Sequence, residues 1–471
     1  MDNSNSTNLD PTIIVIFGVT GDLAKRKILP AIYHLLKDGL LPDKLKIIGT
    51  SRTKITLNRL ITDLELCVLE QNKVCDSLVL AKFKSILELI QLNPQNPKDF
   101  PILNTKLSQI EEANKICFNR LFYLAVPPDV VEDIIKILGL SGLNRSCIHN
   151  KAKTRLLIEK PFGNDLNSAK RLISNISHFF KEDQLFRIDH YLAKEMAQNI
   201  ITFRKYNPIF NQIWDSELIK SVKIKVYENI GIEKRINFYE NTGALRDILQ
   251  SHLLALLTLV TFDIPKNISD INSLHKSKLK LLKKVKLKDS KNIANNLIVG
   301  QYKSYRREIK NKNSFTETFV SLNLKIDNLK WNGVNFILVT GKNLKYKKTK
   351  IEITFRANKQ MAENKLTFRL QPNEGIDLKL NLKKPGLDNQ ITKTNMDFSY
   401  KNSFPSDPGH PDAYERVLID SLKGDLSLFP TNDEIIESWK IIQPILTSWN
   451  KSQTNKNLII YNDQINPNLI K

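Results

Sequence analysis

Cysteine is scarce in this chain, with four residues in 471: Cys67, Cys75, Cys117 and Cys147. None stands at the close spacing of a metal or redox pair, so no metal site is expected and a reducing compartment is the simpler expectation. Long hydrophobic runs are missing too. The longest, LLALLTLVTF at Leu253–Phe262, is about half a membrane span. It reads as a buried helix, so a soluble chain with no membrane partner is expected. The opening residues, MDNSNSTNLDP, lack a basic start followed by an apolar run. They give no secretory signal, and a cytoplasmic location is expected. No repeat at solenoid periods is present. Acidic residues are also in deficit, 49 against 71 Lys and Arg, for a formal net charge of +22. The lysines are spread along the whole chain, as in KSKLKLLKKVKLKDSKN from Lys276 and KNLKYKKTK from Lys342. That spread reads as solvated surface, with no nucleic-acid partner, and leaves a steering role toward anionic substrates.

A hydrophobic content of 41% and a charged content of 25% are globular values. The length is too great for one ordinary core and suggests two domains. TIIVIFG at Thr12–Gly18 reads as a fully buried strand, DLAKRKILPAIYHLLKDG as a helix closing at Gly39, and LKIIGTSR as a second strand. Strand, glycine turn, helix and strand open a doubly wound nucleotide-binding fold. RLFYLAVPP and TRLLIEKPFG continue it as later parallel strands. From about Tyr206 the runs alternate, as in SVKIKVYE, NLKIDN, FILVTG, KIEITF, KLTFRL and GIDLKLNLKK, and WNGV at Trp331–Val334 carries a hairpin signal. The expected fold is therefore α/β plus α+β: a Rossmann-like doubly wound parallel sheet over residues 1–190, then a large, mainly antiparallel sheet with helices over residues 191–471. The boundary falls near RIDHYLAKE, Arg187–Glu195, which would place that motif in the crevice between domains.

GVTGDLAKR, Gly18–Arg26, lies between a predicted strand and a predicted helix, the context a dinucleotide phosphate turn requires. Its spacing is G-x-x-G-x-x-A. Gly18 would make the turn, Gly21 would admit the pyrophosphate to the backbone, and Ala24 would allow helix to pack on sheet, with Thr20 a further phosphate donor. At the end of the second strand the chain reads Gly49-Thr50-Ser51-Arg52, with no acid to grip the ribose diol of NAD. Arg52 suits the 2′-phosphate of NADP instead.

RIDHYLAKE gathers an acid, an imidazole, a phenol and an ammonium. On a helix His190 and Lys194, four apart, share a face with Tyr191 beside them, and three such donors suit a phosphate dianion. ALRDILQSHLL offers a general base in His252. Asp247 lies five residues earlier, about 140° away around an α-helix, and is poorly placed to hold that ring. Asp189 is the better partner, reaching His252 from the first domain and leaving Asp247 for sugar hydroxyls. EKPFG ends a strand with Lys160, which could touch both substrate and cofactor, and its Lys-Pro bond is a candidate cis peptide.

Together these residues resemble the glucose-6-phosphate dehydrogenase family. The resemblance runs through GVTGDLAKRKILPAIYHLLKDGLLP, NRLFYLAVPP, RLLIEKPFG, RIDHYLAKEMAQNI, NTGALRDILQSHLLALL, VGQY, TETFVSLNLKIDN, TGKNL, QPNEGIDLKL and DAYERVLIDSLKGD, in the family's order. It implies oxidation of β-D-glucose 6-phosphate to 6-phosphoglucono-δ-lactone with hydride transfer to NADP, the first step of the oxidative pentose phosphate pathway. His252 matches the family's proton acceptor and Asp189 its dyad partner. His190, Tyr191 and Lys194 match the phosphate-binding residues, and Glu228 and Asp247 those that take sugar hydroxyls. Lys160 matches the lysine shared by substrate and cofactor, and Lys342 a substrate lysine. Lys347 falls where many members carry a substrate arginine, and Lys27 is a further candidate. Gly18, Thr20, Gly21, Asp22, Leu23, Ala24, Lys25 and Arg52 fall on cofactor positions. The resemblance also implies a homodimer or homotetramer built through the large sheet.

Three departures are visible: Ala193 stands where glycine is usual, Ser251 where asparagine is usual, and the stretch from Tyr302 to Phe315 is short. The methyl of Ala193 is expected near the phosphate site. Two other functions compete with this reading. Another sugar oxidoreductase would leave RIDHYLAKE and RDILQSH unexplained, and a non-catalytic binding relative should have lost the base, the cofactor glycines or the phosphate residues, all of which are present.

Overall fold

A computed structural model of the chain describes residues 9–70, 74–145, 152–233, 235–357, 362–404, 411–451 and 457–470. The chain folds as two units. The first comprises Met1–Gly163, Asn167–Ala193 and Pro411–Asn432, and the second Asn164–Leu166, Lys194–His410 and Asp433–Lys471.

The first unit is built on six parallel strands: β1 (Thr12–Phe17), β2 (Leu45–Ser51), β3 (Leu87–Gln91), β4 (Asn119–Leu124), β5 (Thr154–Ile158) and β6 (Leu185–Arg187). They lie in the order β3-β2-β1-β4-β5-β6. This is the doubly wound order whose direction reverses between β1 and β4, where ligands meet the carboxyl ends of the strands. The unbroken apolar run of β1 follows from two covered faces. Ile14 and Ile16 join Ile47, Leu121 and Leu157 in one core, and Ile13, Val15 and Phe17 join Phe122, Leu124 and Leu156 in the other. The helix Ala413–Lys423 adds Val417, Leu418 and Leu422 to the first of these cores. Cys67 and Cys75 are thiols. Cys147 lies outside the described residues.

The second unit carries a ten-stranded sheet formed by β7 (Ile219–Tyr227), β8 (Val285–Leu287), β9 (Leu297–Tyr302), β10 (Phe319–Ile326), β11 (Asn335–Gly341), β12 (Lys348–Phe355), β13 (Lys365–Gln371), β14 (Gly375–Lys383), β15 (Ile391–Ser399) and β16 (Leu458–Tyr461). Its order is β15-β14-β13-β12-β7-β11-β10-β9-β16, with β8 on β10. Most neighbours are antiparallel, and β11–β7 and β16–β9 are parallel. β10 and β11 pair as a hairpin across WNGV, with Gly333 at φ 77°, and a turn of 3-10 helix at Leu329–Trp331 lengthens the connection. LLALLTLVTF continues a helical span whose Leu254, Leu256, Leu257 and Val260 are buried inside the unit.

Candidate active site

The first unit's contribution begins at the end of β1. Gly18 has φ 80°, and a Cβ there would stand 2.6 Å from the carbonyl oxygen of Ala125, which follows β4. Only glycine combines that φ with that approach. The Gly21 N–H donates back to the Gly18 carbonyl at 2.9 Å, closing the turn from which Asp22 and Leu23 lead into a π-helical turn, Ala24–Ile28. Ala24 is fully buried in the core. Thr20 is half-buried, while Asp22 is exposed and pairs with Arg26, and Lys25 pairs with Asp63 at 2.8 Å. At the end of β2, Thr50 and Ser51 are buried and Arg52 is exposed. This cradle fits a dinucleotide: a glycine turn whose space a side chain would fill, a helix start beyond it, and a solvent-facing cation in place of the usual acid.

β5 ends in the cis Lys160–Pro161 peptide with Lys160 half-buried. Beside it, burial pushes the Glu159 carboxyl up to about 7, against the pull of the Tyr123 hydroxyl and of Lys160, and the charge of Asp189 adds to the rise. The Tyr123 hydroxyl donates to Glu159 Oε1 at 2.8 Å.

RIDHYLAKE is not a helix, contrary to the expectation. β6 ends at Arg187, and the next helix starts at Glu195 with Lys194 as an extended N-cap residue. Between them Asp189 Oδ1 accepts the Tyr191 N–H at 2.9 Å and the Asp189 carbonyl accepts the Leu192 N–H at 3.0 Å. An aspartate that binds backbone two residues on favours a turn over a helix. His190 and Tyr191 therefore leave from a turn, with their rings 4.9 Å apart. The boundary between the units falls directly after Ala193, and Lys194, in the second unit, donates to Gln371 Oε1 at 2.8 Å. Arg187 is a structural residue, buried and bound to Glu182 at 2.9 and 3.0 Å. The methyl of Ala193 packs into the first unit's core.

Sequence reasoning passed over Tyr414. Its ring stacks on that of His190 at 6.5 Å and 14°, and the Lys27 ammonium, bound to Asp412 at 3.1 Å, stands 5.9 Å above it. DAYERV carried the signal, as an aromatic in a capping box. Which core its helix would join was not legible.

In the second unit, Asp247 and His252 lie on a π-helix, Leu245–Leu253. The wider i→i+5 winding of a π-helix brings residues five apart nearer to one face than an α-helix does. The angular argument that separated Asp247 from His252 therefore fails here. Both are buried, His252 completely. Ser251, in place of the usual asparagine, donates its hydroxyl to the Asp247 carbonyl at 3.1 Å. Glu317, also passed over, starts this π-helix: its carbonyl accepts the Ala244 N–H at 3.0 Å and its Oε1 the Leu245 N–H at 2.9 Å. Glu228 follows β7 and receives Lys342 Nζ at 2.5 Å, and Lys342 follows β11 and is buried. Lys347 is exposed just before β12.

Comparison with known proteins agrees along the chain. The family model described as "Glucose-6-phosphate dehydrogenase, NAD binding domain" matches residues 15–199, and that described as "Glucose-6-phosphate dehydrogenase, C-terminal domain" matches residues 201–466. The glucose-6-phosphate 1-dehydrogenase of Chlamydia pneumoniae is 36% identical, covering 94% of this chain and 90% of its own. Glucose-6-phosphate 1-dehydrogenase 5, cytoplasmic, of Arabidopsis thaliana is 35% identical, covering 93% and 86%. A solved structure of a glucose-6-phosphate dehydrogenase in complex with its substrate superimposes with a TM-score of 0.90 at 33% identity, covering 98% of this chain and 96% of that one.

Proposed function

The chain belongs to the glucose-6-phosphate dehydrogenase family, and we propose that His252 is the base that takes the hydroxyl proton from C1 of glucose 6-phosphate. The reaction is oxidation of the sugar phosphate to 6-phosphoglucono-δ-lactone, the entry to the oxidative pentose phosphate pathway, and a nicotinamide dinucleotide supplies the hydride acceptor. One observation carries the assignment: a fully buried imidazole on a π-helix, with the carboxylate-bearing Asp247 one turn before it. Water is kept from such a base, and a histidine holds a proton reversibly near neutral pH. Asp189 is the acid that stabilises the resulting cation. His190, Tyr191 and Lys194 bind the phosphate, Glu228, Asp247 and Lys342 the sugar hydroxyls, and Lys160 lies by both substrate and cofactor. Lys347 is a further cation for the substrate.

The cofactor is held by Gly18, Thr20, Gly21, Asp22, Leu23, Ala24, Lys25 and Arg52. NADP is preferred over NAD because Arg52 is a bidentate donor for a 2′-phosphate and no acid stands at the end of β2. The protein works in the cytoplasm as a homodimer, or a dimer of dimers, through the large sheet. Supporting that assembly is the second face of the sheet, where Ile298, Ser321 and Ile337 are half-exposed beside an ion pair of Lys225 with Glu352 at 2.5 Å.

Initial rates with glucose 6-phosphate and each of NADP and NAD, on the wild type and on His252→Asn, test the reading. Turnover that favours NADP and falls by at least about a hundredfold in the variant, with substrate still bound, is expected for loss of a general base. A variant that keeps its kcat removes His252 from the mechanism.

A further inference from the structure

We propose that a cavity at the amino ends of β5 and β6, at the opposite end of the strands from the glycine turn, binds a di- or triphosphate anion. The cavity measures about 610 Å³, the size of a small-ligand site, and its whole lining belongs to the first unit. Its charged lining is four cations, Arg145, Lys153, Arg155 and Lys181, against one acid, Asp183. The parallel register that sets Leu156 beside Leu185 brings the residues opening both strands to one level. Gln184 then ties the rim together. Its Nε2 donates to the Asn144 and Thr154 carbonyls at 3.1 and 3.2 Å, and its Oε1 accepts the Lys181 N–H at 2.9 Å. Arg145 and Lys153 are the chain neighbours of those two carbonyls, so three of the cations leave from backbone fixed by one side chain.

Several basic side chains of the first unit have carboxylate partners: Lys25 with Asp63, Lys106 with Glu88, Arg120 with Glu111 and Arg187 with Glu182. Arg145, Lys153 and Lys181 make no ion pair among the described residues. The nearest further acid in sequence, Glu182, is committed to Arg187 and to the Asn432 amide. Arg155 is half-buried on β5. Its Nη1 donates to the Ser421 and Leu422 carbonyls at 2.9 and 2.7 Å, closing the end of the helix Ala413–Lys423, and its Nη2 makes no hydrogen bond among the described residues. Burial lowers the pKa of this guanidinium, with the charge of Asp10 working against it. A partly desolvated cation held on carbonyls alone is stabilised by an anion beside it. A cleft lined by one sign of charge concentrates counter-ions, and guanidinium and ammonium groups take phosphate oxygens in charge-assisted hydrogen bonds. Four cations facing one acid exceed what a single phosphate can neutralise, which selects a ligand with two or three.

Isothermal titration calorimetry of the full chain with ATP and with inorganic tripolyphosphate tests this. NADPH and glucose 6-phosphate are present at saturation, a reduced cofactor and a sugar it cannot oxidise, so that the sites proposed for the reaction are filled. The expected result is one site per chain with a Kd below about 1 mM, weakened at least about tenfold in Arg145→Glu/Lys153→Glu. Lys82→Glu/Lys84→Glu changes the net charge equally at two exposed positions outside the cavity and should leave the Kd within about twofold. Tighter binding of ATP than of tripolyphosphate identifies a nucleotide as the source of the phosphates, and equal binding an inorganic polyphosphate. No binding of either at about 1 mM, an Arg145→Glu/Lys153→Glu protein that binds like the wild type, or equal weakening in both double variants overturns the inference. None of these four positions is assigned to the reaction, so that failure leaves the proposed function standing.

Discussion

Gly243→Ala tests how the helix carrying Asp247 and His252 is started. Gly243 has φ 65°, and a Cβ there would stand 2.3 Å from Glu317 Oε1 and 2.7 Å from Oε2. With ψ at 175°, this backbone lies in a region essentially reserved for glycine and costs any other residue about 1–3 kcal/mol. The carboxylate cannot retreat without cost, because its Oε1 accepts the Leu245 N–H at 2.9 Å and burial already holds its pKa up. Driving it off leaves a buried N–H unsatisfied, for about 1–3 kcal/mol more. The sum is about 2–6 kcal/mol for the single variant. Glu317→Ala alone loses the N–H bond, at about 1–3 kcal/mol, and opens the space the new methyl needs. In the double variant only the backbone strain of about 1–3 kcal/mol should add to the Glu317→Ala loss, so the cycle is non-additive in the favourable direction. Urea unfolding of the four proteins measures this, with kcat on the folded fraction as a second readout that should fall with the loss of helix geometry. A Gly243→Ala protein within about 0.5 kcal/mol of the wild type, or a strictly additive cycle, would refute the reasoning.

Two further expectations follow from other regions. The Glu159 carboxyl, raised by burial from 4.5 to about 7, binds its proton more tightly folded than unfolded, so its contribution is full below about pH 4.5 and lost as pH rises through about 7. The difference is about 3 kcal/mol, and Glu159→Gln, which has no proton to lose, should gain that much on the wild type between pH 4.5 and 8 in urea unfolding; parallel curves would count against it. Light scattering should give the wild type at least twice the 54.2 kDa chain mass, and Ile337→Asp, on the half-exposed sheet face, should shift it toward monomer. A monomeric wild type at micromolar concentration would remove the sheet as an interface.

What was legible in the sequence was periodic or chemically forced. β1 read as a buried strand because both of its faces are covered, and the alternating runs after Tyr206 read as sheet because one face of that sheet is apolar and the other half-exposed. Gly18 was legible because a tight strand-to-helix turn requires a residue without Cβ. Windings and tertiary loyalties were not. RIDHYLAKE has helical spacing, but Asp189 sits where its carboxylate can take the Tyr191 N–H, and a single side-chain bond to backbone outweighs a short periodicity. The stretch of Asp247 and His252 looks like any amphipathic helix, and only Glu317, over sixty residues later in the chain, marks where its wide winding starts. The helix Ala413–Lys423 shows a capping box and an apolar stripe, yet nothing local says that it returns to the first unit's core, because amphipathicity specifies that a face is buried and not against what. Tyr414, next to His190, is placed by that return. The candidate site residues were thus readable from their own types, whereas Glu317 and Tyr414, which brace the segments that carry them, are defined by partners distant in sequence and could emerge only from the fold.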